Sequence, residues 1–222
     1  MFTPLNMNFE KNVVVRSHEQ TPIASPAKDV MRIPLERAET ESGHVTSIVE
    51  YKPGASFKPH RHPKGEEIFV LSGVFSDENG DYPAGTYIRN PPGSSHAPFS
   101  TEGCTIFVKL NQFDKNDDKK VVLNTSVEPW LPGQGNLEVM PLHHFAGKNT
   151  ALVKWPQGER FVPHRHYGGE EILVLSGTFR DEWGVYPTGT WLRNGHLSTH
   201  HPWVEEETVI LVKTGHLAHD VS

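Results

Sequence analysis

The chain has 222 residues, 36% of them hydrophobic and 22% charged, with a formal net charge of -6 at pH 7. That length suits one large domain or two small ones, and the composition is too apolar for a disordered chain. With no basic excess there is no electrostatic footprint for nucleic acid or an anionic membrane. A single cysteine excludes an intrachain disulfide framework and any zinc site built from two of the chain's own thiolates. Against that one cysteine stand 14 histidines.

The opening stretch, MFTPLNMNFEKNVVV, lacks a basic segment followed by an apolar one, so no secretory signal is expected. No run approaches the roughly 18 apolar residues of a membrane span, and a cytoplasmic location is the expectation. The apolar runs are short: Ser47–Tyr51, Glu67–Leu71, Val74–Ser76, Thr86–Arg89 and Thr105–Leu110, rich in β-branched and aromatic residues and separated by Gly, Pro, Asn and Asp. Asn79-Gly80 marks a hairpin. Such a series, without a long amphipathic helix, predicts a β-sandwich or barrel. Cys104 opens an apolar strand and reads as a buried small hydrophobe. The stretch Asn111–Lys120, NQFDKNDDKK, has the composition of a linker or solvated loop.

Beyond it the chain repeats. Tyr51–Lys109 aligns without a gap on Trp155–Lys213, with 31 of 59 positions identical. Upstream the offset changes from 104 to 107, matching Pro22 to Pro129 and Pro34-Leu35 to Pro141-Leu142; the three-residue difference falls near Glu39–His44, where a hairpin loop can vary in length. Two tandem domains are therefore expected, residues 1–118 with the linker and residues 119–222.

Each copy carries the same polar constellation. His60 and His62 are two apart, so a strand presents both on one face, and Glu66 follows at the same parity. The turn PPGSSH can return His96 to the same point. His164, His166, Glu170 and His200 repeat the set. Three imidazoles and a carboxylate make a mixed N/O site for a divalent metal, compatible with zinc, iron, manganese or nickel. The same positions survive in both copies while neighbours differ: Pro63 becomes Tyr167 and PPGSS becomes GHLST.

Around these sets, parity turns Glu67 and Glu171 away, toward a surface or barrel edge. Arg89-Asn90 and Arg193-Asn194 either anchor an anion or brace a turn. Asp77-Glu78 and Asp181-Glu182 read as solvated hairpin residues, and Lys109 and Lys213 as exposed strand ends. Tyr87, Phe99, Tyr167, Trp191 and Trp203 read as packing residues or pocket walls. His143, His144, His216 and His219 are expected at the surface, with His196 and His201 beside the second histidine set. No nucleophilic triad, phosphate loop or dinucleotide fingerprint is present.

The spaced blocks Gly54-x5-His60-x-His62-x3-Glu66-x6-Gly73 and Gly85-x5-Pro91-x-Gly93-x2-His96 resemble the two signature motifs of the cupin superfamily. The string GEEIFVLSGVFSDENGDYPAGTYIRNPPGSSHAPFSTEGCTIFVKL is similar to the ChrR-type cupin domain, the metal-binding half of anti-sigma factors that respond to oxidative stress. The resemblance implies an all-β fold of two tandem cupin barrels (double-stranded β-helix, jelly-roll). It implies the eight residues named above as ligands, zinc as the metal, and a sensory, regulatory or small-molecule-binding role answering a small molecule or reactive oxygen species. The chain lacks the His-x3-Cys-x2-Cys segment with which such factors grip a sigma factor, so the resemblance stops short of that partner. The second copy also has Gly195-His196-Leu197 in place of Pro-x-Gly. The wider superfamily implies an alternative, an iron-dependent dioxygenase of a small aromatic or diketone compound. Enzyme and non-enzyme readings both stand at this point, and a homo-oligomer is compatible with either.

Overall fold

The computed structural model describes residues 2–217, and their one helical segment is a 3-10 turn at Ser17–Glu19. The remaining ordered elements are antiparallel strands, as the short β-branched runs imply. Two compact units form, and neither is a continuous stretch of chain. Residues 2–7 and 20–128 make the first, residues 8–19 and 129–217 the second.

In the first unit the main sheet runs Val121–Asn124, Thr86–Asn90, Glu66–Asp77, Cys104–Leu110, Val45–Tyr51, Val30–Arg37 and Ile23–Ala24. In the second it runs Val13–Arg16, Thr190–Asn194, Glu170–Ser176, Thr208–Thr214, Lys148–Trp155, Glu138–Phe145 and Leu131–Pro132. Val13–Arg16, from near the start of the chain, thus closes the edge of the second sheet, pairing Val13 with Arg193. Val121–Asn124, beyond the linker, closes the first, pairing Val121 with Arg89.

The two expected runs Glu67–Leu71 and Val74–Ser76 are one strand, Glu66–Asp77, that turns a corner. Its first half pairs with Cys104–Leu110 and its last residues with Gly80–Pro83. Gly73 sits at the corner with φ +71°, and a Cβ there would lie 2.1 Å from the Gly103 carbonyl oxygen. Only glycine fits both the left-handed backbone and that approach. The second unit breaks into two strands at the equivalent Gly177.

Inside each unit, one face of these strands packs an apolar core. Ile68, Val70, Phe75, Ile88 and Ile106 lie in the first, and Ile172, Val174, Phe179, Leu192 and Ile210 in the second. Cys104 is buried in the first core, where desolvation raises its thiol pKa.

The opposite sheet face departs from the sequence reading. Lys109, expected to be exposed, is buried and donates to Thr46 Oγ1 at 3.0 Å; Lys213 is half-buried. Glu67 and Glu171 do turn away from the histidines, but they are buried rather than superficial. Tyr87 Oη donates to Glu67 at 2.6 Å, and Trp191 Nε1 to Glu171 at 3.1 Å. Tyr87 and Trp191 are therefore packing residues, whereas Tyr167 is exposed. The reason is cover that strand parity does not register. The linker is not wholly solvated: Asp117 is buried and forms a two-pronged ion pair with Arg89, at 3.0 and 2.7 Å, and the Phe113 ring lies 3.9 Å from the Arg89 guanidinium. In the second unit, Arg193 donates to the Asn8 carbonyl at 2.7 Å and lies over Phe9. Each arginine before the histidine turn thus fastens a covering segment.

Candidate metal centres

His60–Arg61 and Ser95–His96 form a two-stranded ladder in which His60 pairs directly with His96. Both side chains therefore lie on one side of that ladder. His62, just past the strand, is fixed by its amide to the Ser94 carbonyl at 2.9 Å and by Gly93 N–H to its own carbonyl at 2.8 Å. Glu66 enters from the start of the corner strand. Ligating atoms of His60, His62, Glu66 and His96 lie within 4.8 Å of one another, and so do those of His164, His166, Glu170 and His200. The structure brings together all eight residues singled out in the sequence, as two clusters, one in each unit.

The substituted turn of the second copy keeps the same backbone path. Leu197 takes the place of Gly93 at φ +63°, and its N–H still reaches the His166 carbonyl at 2.9 Å. His196 Nδ1 accepts from Gly168 N–H at 2.8 Å, so this ring braces the turn. His201 presents its backbone, its N–H donating to Glu182 at 2.8 Å.

The ring orientations leave the Nε2 atoms converging. His60 Nδ1 is bonded to the Lys58 carbonyl, and His164 Nδ1 to Val162, both at 2.9 Å. His96 Nδ1 lies 3.2 Å from Asp77 Oδ2, and His200 Nδ1 3.3 Å from Asp181 Oδ2. Nδ1–H held by an oxygen fixes the tautomer and leaves Nε2 as the donor to a metal. Asn90 Nδ2 holds Glu66 Oε2 at 2.9 Å, and Asn194 Nδ2 holds Glu170 Oε2 at 3.1 Å. Asp77 and Asp181, read from sequence as solvated, are buried because the hairpin folds them inward against these histidines. Their signal in the sequence was repetition: Asp recurs at the same place in both copies, as does the Asn that follows the arginine.

The donor set fits a divalent cation. His62 Nε2 and His96 Nε2 are buried and meet no hydrogen-bond partner. Glu66 Oε2 stands 3.6 and 3.3 Å from them. In the second unit His166 Nε2 and His200 Nε2 are 2.9 Å apart, with Glu170 Oε2 at 3.4 and 3.6 Å. Ligands each about 2.1 Å from one ion are about 3.0–3.4 Å apart when they subtend right or tetrahedral angles. Four such ligands complete a tetrahedral zinc site, while iron, manganese or nickel retain positions for further ligands.

Electrostatics favours the neutral form of three of these rings. Burial pushes His62 and His164 below the ordinary imidazole value. It brings His166 down to about 3, with His200 and His164 adding to the effect. Burial would also lower His200, but its hydrogen bond to Asp181 and the Glu170 carboxylate carry it above the ordinary value. Burial raises the Glu170 carboxyl. His216, expected at the surface, lies against Glu171 at 3.2 Å, and His144, which is exposed, bonds Asn149. His143 is half-buried, and His219 lies outside the described residues.

A cavity of about 830 Å³ opens in the first unit. His60 and Glu66 stand in its wall with Val49, Ile106, Val108 and Phe57. No helix of the described residues is long and apolar enough to cross a membrane.

A family model described as the ChrR Cupin-like domain matches residues 10–114 and again 118–218. Among solved structures, a protein from Nostoc punctiforme provisionally named a dioxygenase superposes with a TM-score of 0.77 at 15% identity, covering 96% of this chain and 85% of that one. Protein Ylba from E. coli gives 0.73 at 15% identity, covering 96% and 94%. The bacterial pirin YhhW from Escherichia coli, in complex with nickel(II), gives 0.70 at 12% identity, covering 92% and 98%. At such identities the likeness is one of fold. The curated proteins contain no match.

Proposed function

The chain belongs to the ChrR cupin-like family, and from that premise we propose that it is a metal-binding tandem cupin whose first metal centre also binds a small organic molecule, in a sensory or regulatory role in stress response. The observation that carries this is the cavity of about 830 Å³ with His60 and Glu66 in its wall. Its volume lies within the range of about 300–1,000 Å³ usual for small-molecule sites. His60, His62, Glu66 and His96 hold one ion and His164, His166, Glu170 and His200 another; zinc is the metal favoured by the family. Asp77 and Asp181 orient one imidazole in each set, and Asn90 and Asn194 the carboxylate. A bound divalent ion supplies Lewis acidity toward any oxygen ligand brought beside it. A cytoplasmic setting accords with one buried, unpaired thiol, and reactive oxygen species are a second class of signal.

The same cavity supports a second reading, an iron-dependent dioxygenase of a small aromatic or diketone compound. Its apolar stretch of Val49, Phe57, Ile106 and Val108 suits such a substrate.

Metal analysis of protein purified without added metal, with His60→Ala and His164→Ala, tests the sites. Each substitution should remove about one equivalent, and undiminished metal in both refutes the assignment. Oxygen consumption with Fe(II) and aromatic or diketone substrates, abolished by His96→Ala, decides for the enzyme.

A further inference from the structure

The wall of the first cavity has an apolar stretch, with Val49, Phe57, Ile106 and Val108, beside polar side chains that include Lys58, His60, Glu66 and two arginines. Val45 and Val49, on Val45–Tyr51, line it, and their cross-strand partners are Arg37 and Arg32. Directly paired residues share a sheet face, so both arginines enter the cavity wall alongside the valines. Arg37 is buried and the Arg32 side chain is 14% exposed. Arg32 is held by Glu41 in a two-pronged pair, at 3.1 and 2.7 Å. Arg37 donates to the backbone carbonyls of Glu39 and Thr40 and, among the described residues, has no carboxylate hydrogen-bonded to it. The Nε atoms of both arginines are buried and without a hydrogen-bond partner. Lys28 and Lys58, also at the cavity, are exposed, and Lys28 faces Asp29 at 3.9 Å. Two guanidiniums therefore share one carboxylate. Burial and the nearby Arg32 charge both lower the Arg37 pKa, as expected for a cation lacking a full counter-charge.

The second copy has none of this. The residues paired with Val153 and Asn149 there are Val139 and His144, in place of Arg32 and Arg37. Glu41 also belongs to the first copy alone. Between the last paired residues, Arg37 and Val45, the chain has residues 38–44, whereas between His144 and Asn149 it has only 145–148. The three additional residues are those that change the repeat offset from 107 to 104, and Glu41 rides on the loop they lengthen.

We propose that Arg32 and Arg37 form an anion subsite in the first cavity, which selects small organic acids with an apolar body and places their carboxylate at the arginines, Glu41 standing in for that carboxylate when no ligand is bound. This rests on the reading of the cavity as a small-molecule site. Planar guanidiniums match a carboxylate by two parallel hydrogen bonds, and the apolar strands receive the rest of the ligand. The second copy, with Val139 and His144, lacks the subsite.

The experiment is calorimetric titration of the full-length, metal-loaded protein with benzoate, phenylacetate and hexanoate, and with the three corresponding primary amides. The acids should bind about tenfold or more tightly than their amides, because only they supply the missing charge. Glu41→Gln should tighten the acids by about tenfold and leave the amides unchanged, since it removes an internal competitor. Glu41 is 48% exposed, so this variant does not depend on a tolerant core. Arg37→Gln, checked for full metal content, should abolish the acid preference. Equal affinity for acids and amides overturns the subsite while leaving a small-molecule site standing. Failure of every acid and amide to bind overturns both readings. A Glu41→Gln protein whose affinity for acids is unchanged or weaker overturns the assignment of Glu41 as the stand-in.

Discussion

Asp77 Oδ2 lies 3.2 Å from Nδ1 of His96, and both groups are buried. The carboxylate is held below its ordinary pKa: burial works against this, but hydrogen bonds from the Asn79 amide, His96 and Tyr82 prevail. An ionised Asp77 therefore fixes the Nδ1–H tautomer of His96. Asp77→Asn keeps the size and removes the charge. We expect metal affinity at the first site to fall about 10–100-fold, the usual loss when such an orienting partner is removed. Competition with a chromophoric chelator measures it, with Asp181→Asn as the counterpart in the second unit. Unaltered affinity would show that His96 needs no anchor.

The metal-free protein should lose stability as the solution is acidified from pH 7.5 to 5.5. His62, His164 and His166 all have folded pKa values depressed by burial, His166 to about 3. In the unfolded chain an imidazole protonates near 6.5. Below that value the unfolded state binds more protons at these three positions, so their contribution is present above it and is lost as pH falls toward the folded values. His200 and Glu170, both with raised values, act in the opposite sense, and the large depression of His166, to about 3, carries the balance. Each kcal/mol lost lowers Tm by about 2–4 °C at this size. Thermal unfolding of the chelator-stripped protein at the two pH values is the measurement, and a higher Tm at pH 5.5 contradicts the balance.

Removing Asp117 should be far more damaging than its linker sequence suggests. Arg89 and Asp117 side chains are 2% and 4% exposed. Asp117→Ala removes the carboxylate that this buried guanidinium grips with two hydrogen bonds, and breaking a buried pair costs about 3–5 kcal/mol. Denaturant unfolding checks this. A loss below about 1 kcal/mol, typical of an exposed pair, would place Arg89 in contact with water.

Two glycines with nearly equal φ should respond differently to alanine. Gly73 (φ +71°) has the Gly103 carbonyl oxygen 2.1 Å from the position of a Cβ, whereas Gly54 (φ +79°) has nothing within 4 Å. Gly54→Ala should cost about 1–2 kcal/mol, the conformational penalty alone. Gly73→Ala adds a backbone collision at the corner and should cost clearly more. Equal losses would mean that the corner strand shifts freely.

Much of this was legible because the chain is written twice. Strand parity alone put His60, His62 and Glu66 on one face, and repetition separated them from incidental histidines. The expected exposure failed at Glu67, Lys109 and Asp77, all of them buried, and parity could not have foretold it. Parity reports which side of a strand a residue occupies and says nothing of what covers that side. Glu67 and Lys109 are buried among other polar side chains on a sheet face that looked solvated, and Asp77 is turned inward by its hairpin. Arg32 and Arg37 were invisible for another reason: their place in the wall depends on pairing with Val49 and Val45 across a loop of unequal length.

The exchange of edge strands has a consequence for dissection of the chain. A cut between the repeats, at residue 118, severs both sheets. The front half keeps Thr86–Asn90 but forfeits Val121–Asn124 beside it. The back half keeps Thr190–Asn194 but forfeits Val13–Arg16. Each fragment then bares a row of unpaired amides and carbonyls, the kind of open border along which chains aggregate. Separate expression of the two copies therefore calls for grafting: residues 8–19 belong ahead of the back half, and the front half must run on through residue 128.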